Sequence, residues 1–250
     1  QGFTVYIVSW RNADSVTADY TGEDYIRNGG LEALSFVHGT HNQPANLVGY
    51  CIGGTMLAIM AAYLCNQNDD RISSLTFLAA QTDFSEPGDL GVIVTPQTCE
   101  ALGKHVAEHG GIMRGELMAD AFNMLRPQEL IWRYVENNYL LGETPREFDL
   151  LYWNSDQTNI PGPLHMSYLR QFYLENALAT GRLEVSGDAV RLSDINTPVF
   201  IQASERDHIS PAASVYRGAR LFGGDVEFLL AESGHIAGVV NPPSAGKYSH

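Results

Sequence analysis

The chain has 250 residues, of which 44% are hydrophobic and 18% are charged. This length is enough for one large hydrophobic core, or for a core with an inserted subdomain. With 29 acidic against 15 basic residues the formal net charge is −14, and no basic cluster longer than a dipeptide offsets it. Because nucleic acids are polyanions, this balance excludes nucleic-acid binding as the general function.

The cysteines and the most apolar segment indicate in which cellular compartment the protein works. Cys51, Cys65 and Cys99 are an odd number without the spacing of a disulfide framework, which favours a reducing cytoplasm. Residues 47–64 form the most apolar run, but glycines and a threonine interrupt it, so a buried helix explains it better than a membrane span. Since the chain begins without methionine inside an apolar run, we expect a fragment whose N-terminal strands are missing.

Strand-like and helix-like segments alternate in the first third of the chain. The predicted order is strand 4–10, helix 23–38, strand 46–50, helix 53–66 and strand 72–79. Apolar residues recur at helical spacing in the first helix, and short apolar runs mark the strands. This alternation predicts a mostly parallel sheet with helices on both faces, the α/β class.

The alternation of strand-like and helix-like segments stops between about residue 83 and residue 192. This segment holds six of the 11 prolines and many of the aromatic residues, with helices predicted at 113–124 and 164–177. The alternation then resumes with strand 198–203, helix 212–221 and strand 226–230. We therefore predict a core made of residues 1–82 and 193–250, interrupted by a cap subdomain at 83–192.

The sequence Gly49-Tyr50-Cys51-Ile52-Gly53 lies between the second predicted strand and the helix that follows it. It has the G-x-nucleophile-x-G layout, in which a sharp strand-to-helix turn exposes the central side chain. The two glycines are expected to let the strand and the helix approach closely. The helix N-terminus favours a thiolate and a developing oxyanion. The pattern predicts Cys51 as the nucleophile of a covalent acyl enzyme.

A thiol nucleophile needs a base, and the base needs an orienting acid. In an α/β-hydrolase fold these follow in the order nucleophile, acid, histidine, each after a strand. Asp207 follows the strand predicted at 198–203, and His235 follows the strand predicted at 226–230. Glu205 is a rival acid, and His208 is at most a supporting residue.

Simpler explanations exist for each of these residues. Cys51 could be a small buried apolar residue, and Asp207 could cap a helix or form a turn. Residues 105–109 (HVAEH) match the H-x-x-E-H metalloprotease pattern, but such short patterns arise by chance and no third ligand is evident. We therefore predict no metal site, and the sequence also lacks a Gly-rich phosphate loop.

Taken together, the motifs resemble the catalytic domain of polyhydroxyalkanoate synthases nearly from end to end. The Cys51 stretch and the last stretch are the most family-specific. The matching stretches are 8–12 (VSWRN), 47–54 (LVGYCIGG), 125–127 (LRP), 138–140 (NYL), 148–154 (FDLLYWN), 158–163 (TNIPGP), 207–211 (DHISP) and 233–243 (SGHIAGVVNPP).

The resemblance implies a catalytic set of Cys51, Asp207 and His235, with the backbone N–H of Ile52 binding the oxyanion. It implies polymerisation of (R)-3-hydroxyacyl-coenzyme A into a polyester, with release of coenzyme A and no further cofactor. A cap covers the site in that family, and a second oxyanion donor would lie upstream of Gln1. Implied partners are the growing polyester, a second copy in a homodimer and granule-associated proteins, at cytoplasmic granules. The cap favours the single-subunit class.

Two other functions remain open at this point. The same triad would serve a cysteine-dependent hydrolase, such as a thioesterase, a lactone hydrolase or a polyester depolymerase. A non-catalytic granule-surface protein could also keep the fold, although the complete set Cys51, Asp207 and His235 argues against it.

Overall fold

A computed structural model describes residues 2–125, 127–144, 152–153, 156–242, 244, 246 and 249. Its elements begin with a continuous helical segment and then alternate. They are α1 (Gly22–Asp24), a π-helical turn (Tyr25–Leu31), α2 (Glu32–His41), β1 (Ala45–Tyr50), α3 (Ile52–Asn66) and β2 (Ile72–Leu78). These follow the predicted helices and strands within a few residues.

The middle of the chain is mainly helical. It contains a 3₁₀ turn (Asp89–Val92), α4 (Pro96–Glu108), β3 (Ile112–Met113), α5 (Gly115–Leu125), π turns (Gln128–Trp132 and Val135–Leu140), β4 (Ile160–Pro161), α6 (Gly162–Tyr168) and a further π turn (Leu169–Leu174). Helix α4 was not predicted from the sequence, whereas α5 and α6 were.

The last part of the chain returns to strand and helix. It contains β5 (Glu184–Val185), β6 (Asp188–Ala189), a 3₁₀ turn (Leu192–Asp194), β7 (Val199–Ser204), α7 (Ala212–Ala219), β8 (Val226–Ala231) and α8 (Ala237–Val240). Strands β5 and β6 form a small antiparallel pair of their own.

The main sheet has the order β1-β2-β7-β8, and all three pairings are parallel. In register, Tyr50 lies opposite Leu78, and Leu78 lies opposite Gln202. Parallel strands end at one edge of the sheet, so the loops after β1, β7 and β8 meet there. The predicted parallel α/β architecture is confirmed.

The strand predicted at residues 4–10 is wrong, because the structure shows no strand in the described residues 2–10. Val5 is 74% exposed and Ile7 is 89% exposed. An alternating apolar pattern becomes a strand only when a neighbouring backbone pairs with it. In the described chain, β1 pairs with β2 alone, and the segment does not join its other side.

Helix α3 is the centre of the hydrophobic core. Ala58 and Ala62 are fully buried, and Phe77 of β2 and Ile201 of β7 belong to the same cluster. A helix that is apolar on all sides requires burial all round, as predicted for this segment. Across the described ranges, none of the helices combines the length and the apolarity that crossing a bilayer demands.

The chain divides into two compact units. The first contains Gln1–Ser9, Thr21–Cys99 and Ser167–His250, and the second contains Trp10–Tyr20 and Glu100–Met166. The second unit differs from the cap predicted at 83–192: it omits residues 83–99 and 167–192, and it includes residues 10–20 of the predicted core. Phe84 and Leu178 explain the difference, because both are buried in the core cluster of the first unit. A covering role for the second unit stays a prediction.

Within the second unit, Asn159 joins three segments. Its side-chain oxygen accepts a hydrogen bond from the Gly115 N–H at 3.0 Å, and its own N–H donates to the Asn12 side chain at 2.7 Å. Strands β3 and β4 pair antiparallel beside it. The family stretch 148–154 lies mostly outside the described residues, as does Arg126 of the stretch 125–127.

Two glycines allow β1 and α3 to lie against each other. A methyl group at Gly49 would stand 2.5 Å from the Gly54 Cα, and one at Gly54 would overlap the Ala80 Cβ. At Gly53 a methyl group would meet nothing within 4 Å. The close approach therefore depends on Gly49 and Gly54, and the expectation for Gly53 was wrong.

We expect Gly54→Ala to lower the free energy of unfolding by about 1–3 kcal/mol, because the added methyl overpacks the strand–helix contact. The matched control is Gly53→Ala, which adds the same methyl one residue earlier into open space. It should leave the stability unchanged or raise it slightly, since alanine favours a helix. Urea unfolding of both variants measures the difference, and equal losses would contradict the assignment.

Candidate active site

Cys51 occupies the turn between β1 and α3. Its backbone has φ 53° and ψ −127°, a left-handed region that costs a non-glycine residue about 1–3 kcal/mol. Two hydrogen bonds hold the turn: the Cys51 N–H donates to Leu78 at 3.0 Å, and the Cys51 carbonyl accepts from Gly54 at 2.9 Å. The side chain is half-buried. The structure therefore contains the strained elbow that the sequence predicted.

Asp207 follows β7, and its carboxylate is buried and fully engaged. One oxygen, Oδ1, accepts from the N–H groups of Ile209 at 2.9 Å and Ser210 at 2.8 Å. The other, Oδ2, lies 2.7 Å from Nδ1 of His235. Since a buried carboxylate is tolerated only when it is paired, these partners fix its position.

His235 follows β8 and is only 8% exposed. Its imidazole hydrogen-bonds Asp207 through Nδ1, and the Cys51 side chain lies near enough to contribute to the His235 pKa. Burial alone lowers the pKa of His235, but the interactions with Asp207 and Cys51 outweigh it and raise the pKa to about 10. The imidazole of His235 is thus suited to carrying a proton at neutral pH.

The structure brings the three predicted residues together. Cys51, His235 and Asp207 come from loops after three parallel strands; Asp207 hydrogen-bonds the imidazole of His235, and Cys51 lies close enough to affect the His235 pKa. Ile52 is the first residue of α3, so its N–H has no acceptor within the helix. That N–H lies next to Cys51, and its role as an oxyanion donor stays a prediction.

Tyr50 was not identified from the sequence. Its ring lies 5.2 Å from the His235 ring, centroid to centroid, and its hydroxyl donates to the His235 carbonyl at 3.4 Å. Burial, followed by the nearby charges of Cys51 and Asp207, raises the Tyr50 pKa, so the phenol stays neutral. Tyr50 therefore packs against the imidazole and holds its loop. It stands at the variable second position of the motif, which gives no signal for such a role.

Two more tyrosines near Cys51 were also missed. Tyr168 ends α6 and Tyr173 lies in the π turn that follows, with ring centroids 5.8 Å apart. Burial, together with the charge of Cys51 and the neighbouring phenol, raises the pKa of Tyr168. Burial and the charge of Cys51 raise that of Tyr173. The sequence placed both in a generic aromatic segment, with no sign that they approach the nucleophile.

The other acid, histidine and cysteine candidates of the sequence lie in different environments. Glu205 is exposed, and the His208 carbonyl accepts from the Asp89 N–H at 2.9 Å. Burial raises the pKa of the Cys65 and Cys99 thiols, which disfavours their thiolates.

The H-x-x-E-H segment lies in α4 and just after it. The rings of His105 and His109 stack with centroids 4.1 Å apart, and Nδ1 of His109 lies 2.7 Å from the His105 carbonyl. Within the part of the chain that the structure describes, no three metal-binding side chains converge on one point.

A family model described as the α/β hydrolase fold matches residues 1–242. Together with the parallel sheet, this match confirms the predicted fold class. Among solved structures, a monoacylglycerol lipase from Paleococcus ferrophilus is 16% identical with a TM-score of 0.47, covering 83% of this chain and 66% of its own.

Two curated relatives are much closer in sequence. The poly(3-hydroxyalkanoate) polymerase subunit PhaC of Rhizobium meliloti (strain 1021) is 46% identical over 100% of this chain and 41% of its own length. The poly(3-hydroxyalkanoate) polymerase of Methylorubrum extorquens is 46% identical over 97% of this chain and 40% of its own length. The resemblance drawn from the motifs is confirmed as sequence similarity, and the chain spans about two fifths of these relatives.

The Asp207–His235 hydrogen bond makes the stability of the folded protein depend on pH. Because the His235 pKa is raised from 6.5 to about 10, the folded state holds a proton that the unfolded state loses in this range. The resulting stability is fully present below about pH 6.5 and is lost as the pH rises towards 10.

We expect Asp207→Asn to lower the His235 pKa and to flatten the fall in stability between pH 6.5 and 10. Imidazole NMR titration and thermal unfolding across that range measure the two effects. Glu205→Gln is the matched control: it neutralises the exposed neighbouring acid and should change neither. An unchanged His235 pKa in Asp207→Asn would contradict the pairing.

Proposed function

This chain belongs to the α/β-hydrolase fold family, and on that premise we propose that the protein carrying it is a polyhydroxyalkanoate synthase. It would join (R)-3-hydroxyacyl groups from coenzyme A thioesters into a polyester and release coenzyme A. The main support is the grouping of Cys51, His235 and Asp207 at the carboxyl edge of the sheet, with Asp207 hydrogen-bonded to His235. Whole-chain similarity to two poly(3-hydroxyalkanoate) polymerases points to the same chemistry.

In the first step Cys51 is acylated. His235 takes the thiol proton, and the thiolate attacks the thioester carbonyl carbon. The new carbon–sulfur bond to Cys51 forms, the bond to the coenzyme A sulfur breaks, and the leaving thiolate takes the proton from His235. One thioester replaces another, so the step is nearly neutral in free energy and needs no cofactor.

The tetrahedral intermediate carries a negative oxygen next to the elbow. We assign its stabilisation to the Ile52 N–H, assisted by the positive end of α3. This donor belongs to the backbone, and the helix fixes its direction before substrate arrives. It therefore needs no reorganisation during the reaction.

Chain extension requires the 3-hydroxyl of one unit to attack the acyl group of another. His235 would take the hydroxyl proton as the oxygen attacks, and Cys51 would leave with a proton returned from His235. Asp207 would orient and charge-stabilise the imidazole, not act as the base. Both of its oxygens are already engaged, by two backbone N–H groups and by Nδ1 of His235.

Further partners are proposed from the resemblance alone. They are the growing polyester chain, a second copy of the protein in a homodimer and granule-associated proteins at a cytoplasmic granule. The competing function is a cysteine-dependent hydrolase, in which water takes the place of the attacking hydroxyl.

We expect Cys51→Ala to reduce coenzyme A release from 3-hydroxybutyryl-coenzyme A by more than about 1000-fold, as the loss of a nucleophile does in other triads. Cys65→Ala is the matched control, since it removes a thiol outside the site, and it should retain activity. The assay uses the full-length protein and follows both thiol release and polymer.

The products separate the competing functions. Thiol release with insoluble polymer supports the synthase, whereas free 3-hydroxybutyrate without polymer would establish the hydrolase instead. Unchanged thiol release in Cys51→Ala would exclude thiol catalysis altogether.

A further inference from the structure

The loop that carries Asp207 is in contact with another loop of the first unit. We call residues 205–211, between β7 and α7, the acid loop, and residues 83–89, which follow β2, the supporting loop. At the end of the supporting loop, the Asp89 N–H donates to the His208 carbonyl at 2.9 Å. His208 is the residue directly after Asp207, so the two loops meet beside the carboxylate.

The peptide group between His208 and Ile209 is hydrogen-bonded at both of its polar atoms. Its oxygen accepts from the Asp89 N–H, and its own N–H donates to Oδ1 of Asp207 at 2.9 Å. Because a peptide group is planar, fixing its oxygen also fixes the direction of its N–H. Hydrogen bonds in such a series strengthen one another. The Asp89 N–H therefore orients a donor that the Asp207 carboxylate uses.

Gly88 allows the two loops to come this close. A methyl group at Gly88 would stand 2.4 Å from the His208 oxygen and 2.9 Å from the Ile209 oxygen, both of them backbone atoms. Its φ of 72° also lies in the left-handed region that favours glycine. Any side chain at this position would push the loops apart.

Side-chain contacts anchor the supporting loop on the rest of the first unit. Glu86 forms an ion pair with Arg217 of α7, and Arg217 also donates to the Ser85 hydroxyl at 3.0 Å. The Asp83 carboxylate accepts from the Asn176 side chain at 3.0 Å. Because these contacts hold the supporting loop in place, a clash at its end would be relieved by movement of the acid loop.

We propose that Gly88 and the Asp89 N–H are a positioning element, which holds the Asp207 carboxylate against Nδ1 of His235. This inference rests on the proposed function, because the positioned pair is its acid and its base. A hydrogen bond weakens as its distance and angle depart from the optimum. A displaced Asp207 would therefore hold the imidazole less firmly in the orientation that it needs towards Cys51.

The main test is Gly88→Ala in the full-length protein, with 3-hydroxybutyryl-coenzyme A as substrate. We expect the rate of coenzyme A release at saturating substrate to fall by about tenfold to 100-fold, since misplacing a group by about 1 Å has effects of this size. KM should stay unchanged, because no contact with the substrate is removed. Imidazole NMR titration should show a lower His235 pKa, because the hydrogen bond to Asp207 that raises it is weakened.

Gly187→Ala is the matched control. Gly187 lies in the turn between β5 and β6, its φ is 85°, and a methyl group there would meet nothing within 4 Å. The control therefore adds the same methyl and the same backbone strain without a close contact. It should lower the stability but leave the rate and the His235 pKa unchanged.

A second pair of variants tests the hydrogen bond itself. Asp89→Pro removes the N–H, and proline is tolerated at the first residue of a helical turn, the position of Asp89 in the turn Asp89–Val92. Asp89→Ala removes the same side chain but keeps the N–H, so the difference between the two variants reports the N–H. We expect Asp89→Pro to be slower than Asp89→Ala by about tenfold and to have the lower His235 pKa.

The outcomes separate the inference from the proposed function. An unchanged rate and His235 pKa in folded Gly88→Ala, or equal values in Asp89→Pro and Asp89→Ala, would overturn the inference and leave the proposed function standing. If Gly88→Ala does not fold, the Asp89 pair decides. If the unmodified protein releases no coenzyme A, the proposed function is overturned, whereas the His235 titrations still decide whether Gly88 and Asp89 position the pair.

Discussion

The hydrogen bond between Asp207 and His235, 2.7 Å long and almost fully buried, is the interaction on which the rest of the site depends. It joins the loops after β7 and β8, neighbouring strands of the sheet. A carboxylate in such a place is stable only with its partners, two backbone N–H groups and the imidazole. The pair therefore stabilises its own loops while it favours the charged form of the His235 imidazole, and replacing either residue leaves the other buried and unpaired.

Much of this arrangement could be predicted from the sequence, because it depends on local sequence patterns and one rule of sheet topology. The elbow at Cys51 has a glycine frame between a strand and a helix, and parallel strands must end at the same edge. Those two facts were enough to select Asp207 and His235 from a chain with many acids and eight histidines. The strand predicted at 4–10 fails for a related reason: its pattern is local, but pairing depends on a neighbour.

Other features depend on packing that no short pattern encodes. The close contact of β1 and α3 requires Gly54, not Gly53, because only Gly54 faces Ala80. The extent of the second unit follows from Phe84 and Leu178, whose side chains turn towards the core of the first. The tyrosine pair depends on a π turn, which changes the spacing at which side chains meet. In each case the sequence contains the residue, but its role follows from a three-dimensional neighbour.

The distance along the chain between the parts of the site has a consequence during folding. Tyr50, next to Cys51, and His235 touch across 185 positions, and β8 follows β1, β2 and β7 along the described chain. Contacts of this kind form late, since long loops must close before they contribute. During folding, Cys51 would thus be exposed before His235 reaches it. The grouping of Cys51, His235 and Asp207 would be complete only once the loop after β8 has docked on the sheet.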